Sequence, residues 1–162
     1  MPVKLRRNGR ITEDEPLDDT NRRILFELQA DARLSLAELG RRVGLSSPAV
    51  AERVARLEES GTIVAYRAQV NPRALGLSLT AVIRIRPSPG QLQRVAAAAQ
   101  KTPEVVECHR VTGDDCYLMT AHLRDVTHLE EIIDRFAPLG QTTTSIVQSS
   151  PVPGRGIELE LG

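Results

Sequence analysis

Aromatic rings are nearly absent from this chain. Of its 162 residues two are Phe, two are Tyr and none is Trp, so aromatics make up 2%. A surface so poor in rings offers no platform on which successive bases of a single strand could stack, which argues against a single-strand nucleic-acid binder. Cysteine is equally scarce. Cys108 and Cys116 are the only two, too few for a disulfide framework. Excess charge of either sign is missing as well. Lys and Arg number 21 against 21 Asp and Glu, a formal net charge of zero. That excludes a uniformly basic nucleic-acid coat and an acidic disordered tail, but not a local basic patch. No apolar run approaches the ~20 residues that span a bilayer. The basic start MPVKLRRNGR has no apolar segment behind it and does not read as a signal peptide. Apolar residues at 41% and charged residues at 26% are ordinary for a soluble protein. The expectation is a cytoplasmic protein with no membrane partner.

What is present falls into segments. Residues 1–16 show no apolar periodicity and read as a disordered, solvated tail. Helical patterning begins at Leu17. Asp18 and Asp19 supply a helix N-cap and negative charge near its start, and Ile24, Leu25, Leu28 and Ala32 follow at helical spacing. Ser35-Leu36-Ala37-Glu38 has the form of a capping box, with Ser35 and Glu38 each reaching the other's amide. Leu36, Leu39 and Val43 make that second helix's apolar stripe, and Gly44 stops it. A third helix starts at Ser46 or Ser47 with Pro48 in its first turn, repeats Val50, Val54 and Leu57 inward, and ends at Gly61. Ile63 to Val70 then reads as an extended link broken at Asn71-Pro72.

The second half alternates. Strands are predicted over Leu77–Arg86, Val105–Thr112, Cys116–Arg124 and Gln141–Ser149, and helices over Gln91–Lys101 and Thr127–Phe136, with a turn at Gly113-Asp114-Asp115. The order β-α-β-β-α-β is the ferredoxin-like arrangement. Ile157 to Leu161 reads as a short edge strand. The fold class is therefore α+β. Residues 17–62 form a helix-turn-helix domain and 63–76 a hinge strand and linker. Residues 77–150 form the ferredoxin-like domain and 151–162 a C-terminal tail.

Two short helices joined by a tight Gly-containing turn outline a helix-turn-helix, whose second helix enters the major groove N-terminus first. With Val50, Val54 and Leu57 inward, the opposite face of the helix from Ser47 carries Pro48, Ala49, Glu52, Arg56 and Glu59, flanked by Arg53. Small residues at its start permit close approach to DNA. Ser46 and Ser47 suit phosphate, as do free amides at a helix start. Arg53 and Arg56 suit phosphate or guanine, Glu52 suits cytosine, and Arg41 and Arg42 are candidate backbone clamps. Residues 17–66 hold seven Arg against eight Asp or Glu, so nonspecific binding should be weak and salt-sensitive. On these grounds alone the trio also reads as a plain helical bundle with a solvated face.

The stretch LDDTNRRILFELQADARLSLAELGRRVGLSSPAVAERVARLEESGTIVAYRAQVNP resembles the N-terminal half of Lrp/AsnC-type, leucine-responsive or feast/famine, regulators. The matching elements include Leu17-Asp18, Ile24-Leu25, Val43-Gly44-Leu45-Ser46, Arg53-Val54, Arg56-Leu57-Glu58, Gly61, Tyr66 and Asn71-Pro72. Glu107-Cys108-His109, Val111, Gly113-Asp114 and Tyr117 match the central hairpin of the family's effector domain. The resemblance covers about residues 17–150. It implies a winged-helix-like head that binds double-stranded DNA, a short strand-containing hinge and a βαββαβ domain. It also implies homodimers built through the C-terminal sheets, often four to an octamer, and an amino-acid effector bound between subunits.

The family's effector motif reads roughly Gly-Asp/Glu-x-Asp-Tyr, and here the chain reads Gly113-Asp114-Asp115-Cys116-Tyr117, preceded by Thr112. Cys116 replaces the second acid, which would suit an α-ammonium group. Three explanations follow: Asp115 or Asp114 substitutes, the ligand differs, or there is none. Without the resemblance the acids are simply a polar turn. Cys108 and His109 are adjacent on one strand and point to opposite faces. Cys116 would pair near Val111 or Thr112, so neither a disulfide nor a shared metal site follows, and His128 at a helix start reads as exposed. There is no CxxC pair, no HExxH and no phosphate loop, and no catalytic, metal or cofactor site is expected. The leading reading is a transcription regulator that is not an enzyme. Its competitors are an effector-binding assembly protein that no longer reads DNA, and an amino-acid-handling enzyme using the Asp114-Asp115-Cys116 turn.

Overall fold

The computed structural model describes residues 17–152 and 154–160. The tail read over 1–16 and the end of the expected edge strand at Leu161 lie outside the described residues. The contacts divide into two units, one running to Ala68 and resuming at Val152, the other spanning Gln69–Pro151.

The first unit, the head, holds three helices: α1 (Asp19–Ala30), α2 (Leu36–Val43) and α3 (Ser47–Glu59). Asp18 caps α1 by accepting the Asn21 amide at 2.7 Å. The helix stops before Ala32 because the Asp31 carboxylate takes the Arg33 amide, at 2.8 Å, and turns the chain. Ser35 accepts from the Glu38 amide at 3.2 Å, but only half of the expected capping box forms. The Glu38 carboxylate faces Arg41 and Arg42 instead. Gly44 ends α2 with φ 74°, and the Leu45 amide donates to the Gly40 carbonyl at 2.9 Å. The turn lies so flat on α2 that a Cβ at Gly40 would stand 2.6 Å from the Leu45 carbonyl oxygen. Ile24, Leu39, Val43, Val50 and Leu57 form the core. Each such side chain, fully buried, contributes roughly 1.5–3 kcal/mol.

The hinge strand expected within 63–76 is corrected. Residues 64–70 form no strand among the described residues, since the chain offers their backbone no neighbouring strand to pair with. Val64, Tyr66 and Val70 stand exposed along it. Asn71-Pro72 opens a 3₁₀ turn, Pro72–Leu75, with Asn71 accepting the Arg73 amide at 3.1 Å. Nor does the segment 154–160 form the expected edge strand. The Gln29 side-chain amide supplies what a strand neighbour would, accepting from the Ile157 amide at 2.6 Å and donating to its carbonyl at 3.1 Å.

The second unit, the body, runs β1 (Leu79–Pro87), α4 (Leu92–Gln100), β2 (Val105–Arg110), β3 (Tyr117–Leu123), α5 (Val126–Phe136) and β4 (Gly140–Ile146). The sheet order is β2-β3-β1-β4 with every pair antiparallel. Alternation sends Ala81, Ile83 and Ile85 of β1, and Met119, Ala121 and Leu123 of β3, to one face. There they pack with Val95 and Ala99 of α4 and Leu129, Ile132 and Phe136 of α5. The other face carries Val82, Arg84 and Arg86 with Leu118, Thr120 and Thr143 beside them, and no element of this unit covers it. His128 corrects its exposed reading: it is 5% exposed. Its Nδ1 accepts the Arg124 amide at 3.3 Å, and Nε2 lies 3.1 Å from Glu104.

Candidate functional sites: a recognition helix and a charged hairpin turn

The start of α3 is open on its outer side. Ser46 occupies the N-cap position without bonding the helix through its hydroxyl, and Pro48 stands in the first turn. Ser46, Ser47, Pro48 and Glu52 are exposed and Ala49 is half-buried. The first amides of α3 therefore face outward beside two hydroxyls, an arrangement that attracts an anion.

The arginines divide into two kinds. Arg53 turns back into the head, donating to Asp18 at 2.6 Å and to Asn21 at 3.0 Å. It thereby fastens α3 to the cap of α1. Its guanidinium, together with the Asn21 amide, holds the Asp18 carboxyl below the usual carboxylate range. Arg56 points outward, 73% exposed against 33% for Arg53, and among the described residues it pairs only with Glu52, one turn back on the same helix. Arg41 binds Glu38 through two nitrogens, at 2.7 and 2.9 Å. Arg42 bridges Glu38 and Glu27, each at 2.8 Å, which ties α2 to α1. Hydrogen bonds from Arg41 and Arg42 hold the Glu38 carboxyl down at about 2. Surface pairs of this kind contribute little to stability.

In the body, the hairpin from β2 to β3 is closed by the Val111 amide donating to the Cys116 carbonyl at 3.0 Å. Thr112, Gly113 and Asp114 are exposed at its tip. The acids are not alone. Arg86 of β1 reaches the Asp114 carboxylate at 3.0 Å, and its Nε donates to the Asp114 carbonyl at 3.2 Å. Arg84 stands 3.9 Å from the half-buried Asp115. These two arginines escape a sequence reading. Their alternation opposite Ala81, Ile83 and Ile85 is visible in AVIRIRP, but what they face depends on a register that one strand does not encode.

Cys116 and Tyr117 stand apart from the ionic cluster. Cys116 is half-buried and packs against the core. Tyr117 is 6% exposed, and its hydroxyl donates to the Leu92 carbonyl at 3.1 Å, anchoring β3 to α4. Beside it a groove of about 390 Å³ runs between α4 and the open edge of β2, lined by residues such as Ala96, Val105, Cys108 and Tyr117 but by none of the turn acids. Cys108 lies opposite Met119 and His109 opposite Leu118, on the two faces of the sheet, and both cysteines are free. Burial pushes the Cys108 thiol up. Among the described residues no three His, Cys, Asp or Glu side chains are gathered so as to hold a metal ion, and no helix is long and apolar enough to cross a membrane.

Comparison with known proteins agrees with this layout. Residues 17–58 match the AsnC-type helix-turn-helix domain, and residues 80–157 match the Lrp/AsnC ligand binding domain. A leucine-responsive regulatory protein of Salmonella typhimurium is 41% identical over 138 residues, covering 81% of this chain and 84% of that one. The solved structure of Bacillus subtilis LrpC superposes with a TM-score of 0.82 at 31% identity, covering 86% of this chain and all of the other. The feast or famine regulatory protein of Mycobacterium tuberculosis, solved in complex with L-methionine, gives 0.82 at 34% identity, covering 88% and 99%. The chain belongs to the Lrp/AsnC family of helix-turn-helix transcriptional regulators.

Proposed function

We propose that this protein is a sequence-specific regulator that binds double-stranded DNA through the start of α3 and acts without catalysis in the cytoplasm. The observation that carries the reading is the open helix start, where Ser46 leaves α3 uncapped by its hydroxyl beside exposed Ser47 and Pro48. Phosphates settle on such a terminus and orient the helix, so that Glu52 and Arg56 face base edges or the backbone. Arg41 and Arg42 exchange Glu38 for phosphate. Arg53 is a positioning residue: its bonds to Asp18 and Asn21 fix the angle of α3 on α1.

The body assembles the protein. Its open sheet face, with Val82, Leu118 and Thr120 at the centre, is one that a second copy would cover to make a homodimer. Higher assemblies, octamers among them, follow from such dimers by symmetry. The exposed alternation of Val64, Tyr66 and Val70 fits a linker that becomes a strand only when a partner chain supplies the other half of the ladder. Relatives solved with L-methionine come from Neisseria meningitidis and M. tuberculosis. By that likeness an α-amino acid binds here around Thr112, Gly113, Asp114 and Asp115, between C-terminal domains. It regulates only if it binds one assembly or head placement better than another.

The test is fluorescence anisotropy on labelled DNA from upstream of the protein's own gene, with scrambled DNA as competitor and with or without pooled amino acids. Binding that survives the competitor and shifts with the pool is expected. No preference over scrambled DNA in any ligand condition would reduce the head to an assembly module and overturn the reading.

A further inference from the structure

The chain leaves the body at Pro151, and from Val152 onward it belongs with the head. Two hydrogen bonds to one side chain fasten it there. The Gln29 amide, in the last turn of α1, accepts from the Ile157 amide at 2.6 Å and donates to its carbonyl at 3.1 Å. Gly156 completes the fit. A Cβ at that position would stand 2.7 Å from Gln29 Oε1, the atom that accepts from Ile157. Gly154 has a φ of 103°, but Gly156 is not among the glycines with positive φ. Position 156 therefore needs glycine for space and not for backbone freedom. Little apolar burial goes with the contact. Ile157 is 80% exposed, and within 154–160 only Leu159 is half-buried. None of these residues belongs to the buried core of the head. The segment can thus detach without opening that core, and water then satisfies the freed amides. An element held by exposed backbone bonds lies at the low-stability end of a fold and opens readily.

We propose that residues 154–160 form a releasable strap on the head, with the Gln29 amide as its catch and Gly156 as the gap into which the catch fits. Its effect on DNA rests on the reading of the head given above; the strap itself does not. A head joined to the body through the linker alone has one tether, and with the strap fastened it has two. A unit held at two points samples fewer placements than one held at a single point, so part of the ordering cost of binding is met before DNA arrives. A dimer must set two heads on two half-sites at once. The fastened strap therefore raises affinity for paired half-sites without touching DNA.

The experiment uses the full chain. Arg155 is its last basic residue, so trypsin acting there releases the peptide 156–162. Trypsin needs a detached segment, and the rate of release follows the open fraction. Wild type, Gln29→Ala, Gly156→Ala and the double variant are compared by mass spectrometry at low trypsin. Ala at position 29 favours the helix, and Gly156→Ala displaces the free end of the Gln29 side chain rather than backbone. Release should be about tenfold faster in each single variant, at unchanged melting temperature. It should be no faster still in the double variant, because both changes act on one catch. Equal release from wild type and both single variants would overturn the strap, as would effects that add in the double variant. The second measurement is affinity for the DNA upstream of the protein's own gene, intact and with one half-site scrambled. Gln29→Ala and Gly156→Ala should bind the intact DNA about tenfold more weakly and the single half-site as wild type does. Wild-type affinity for both DNAs, with release accelerated, would overturn the restraint on the head. A wild type that prefers neither DNA over a fully scrambled one would overturn the DNA-binding reading, and the release rates would still decide the strap.

Discussion

The head and the body are stabilised at different ranges along the chain. In the head, five buried side chains form the core and ion pairs lace the surface. Most of those pairs, and all of its helix caps, join residues a few positions apart. In the body, thirteen buried side chains sit between two helices and a four-stranded antiparallel sheet. One of the sheet's two inner strands, β1, pairs with β3 and β4, far along the chain. The difference teaches where each unit is vulnerable. The head is sensitive to turn geometry and surface charge, the body to volume.

The largest expected effect falls on the body. Phe136 is fully buried between α5 and the sheet, and Phe136→Ala should lower stability by about 3–5 kcal/mol by chemical denaturation. A loss below ~1 kcal/mol would mean that the body is packed more loosely than its burial indicates. The head's counterpart is Gly40→Ala. Its Cβ would press on the Leu45 carbonyl, so the turn before α3 must lift, at about 1–3 kcal/mol and with loss of DNA affinity. Unchanged affinity at unchanged stability would show that the turn has slack. A smaller effect distinguishes the cap: Asp18→Ala removes both the N-cap of α1 and the Arg53 anchor, for about 0.5–2 kcal/mol by thermal melting. Asp18→Asn, which keeps a cap but loses the charge, should recover most of it.

The smallest effect is electrostatic. Hydrogen bonds from Arg41 and Arg42 lower the Glu38 carboxyl from 4.5 to about 2. A carboxyl depressed in the folded state contributes stability that is complete above its unfolded pKa and is lost as pH falls through the folded one. The contribution from Glu38 should therefore be full above about pH 4.5 and disappear toward pH 2. Melting curves across that window should slope less in Glu38→Gln than in the wild type. Parallel slopes would show that the pairs are not formed in solution.

The same difference in range explains what the sequence made legible. The helices of the head and the Gly44 stop follow from Asp18, Ser35, Pro48 and Gly44, whose signals act within a turn. The βαββαβ order of the body is equally readable, because Pro87, Pro89 and Gly90, Pro103, and the Gly113-Asp114-Asp115 turn punctuate its elements. What escaped was set by distant partners. Gly40 looks like any small helix residue until Leu45 lies on it. Arg84 and Arg86 look like solvated charges until the register brings the hairpin tip beside them. His128 follows a helix cap and reads as exposed, yet Glu104, 24 positions earlier, closes over it. Arg53 shows the same limit within the candidate site. Sequence spacing places it beside Arg56 on the outer helix, and only the fold of the head discloses Asp18 beneath it.

That contrast between two arginines on one helix gives the most direct test. DNA affinity should be measured across a range of salt concentrations for the wild type, Arg56→Ala and Arg53→Ala. If Arg56 meets the phosphate backbone and Arg53 only holds α3 in place, Arg56→Ala flattens the salt dependence by about one unit of slope at unchanged melting temperature. Arg53→Ala then weakens binding with the slope retained and the head less stable. A flattened slope in Arg53→Ala, with Arg56→Ala indistinguishable from wild type, would contradict the account.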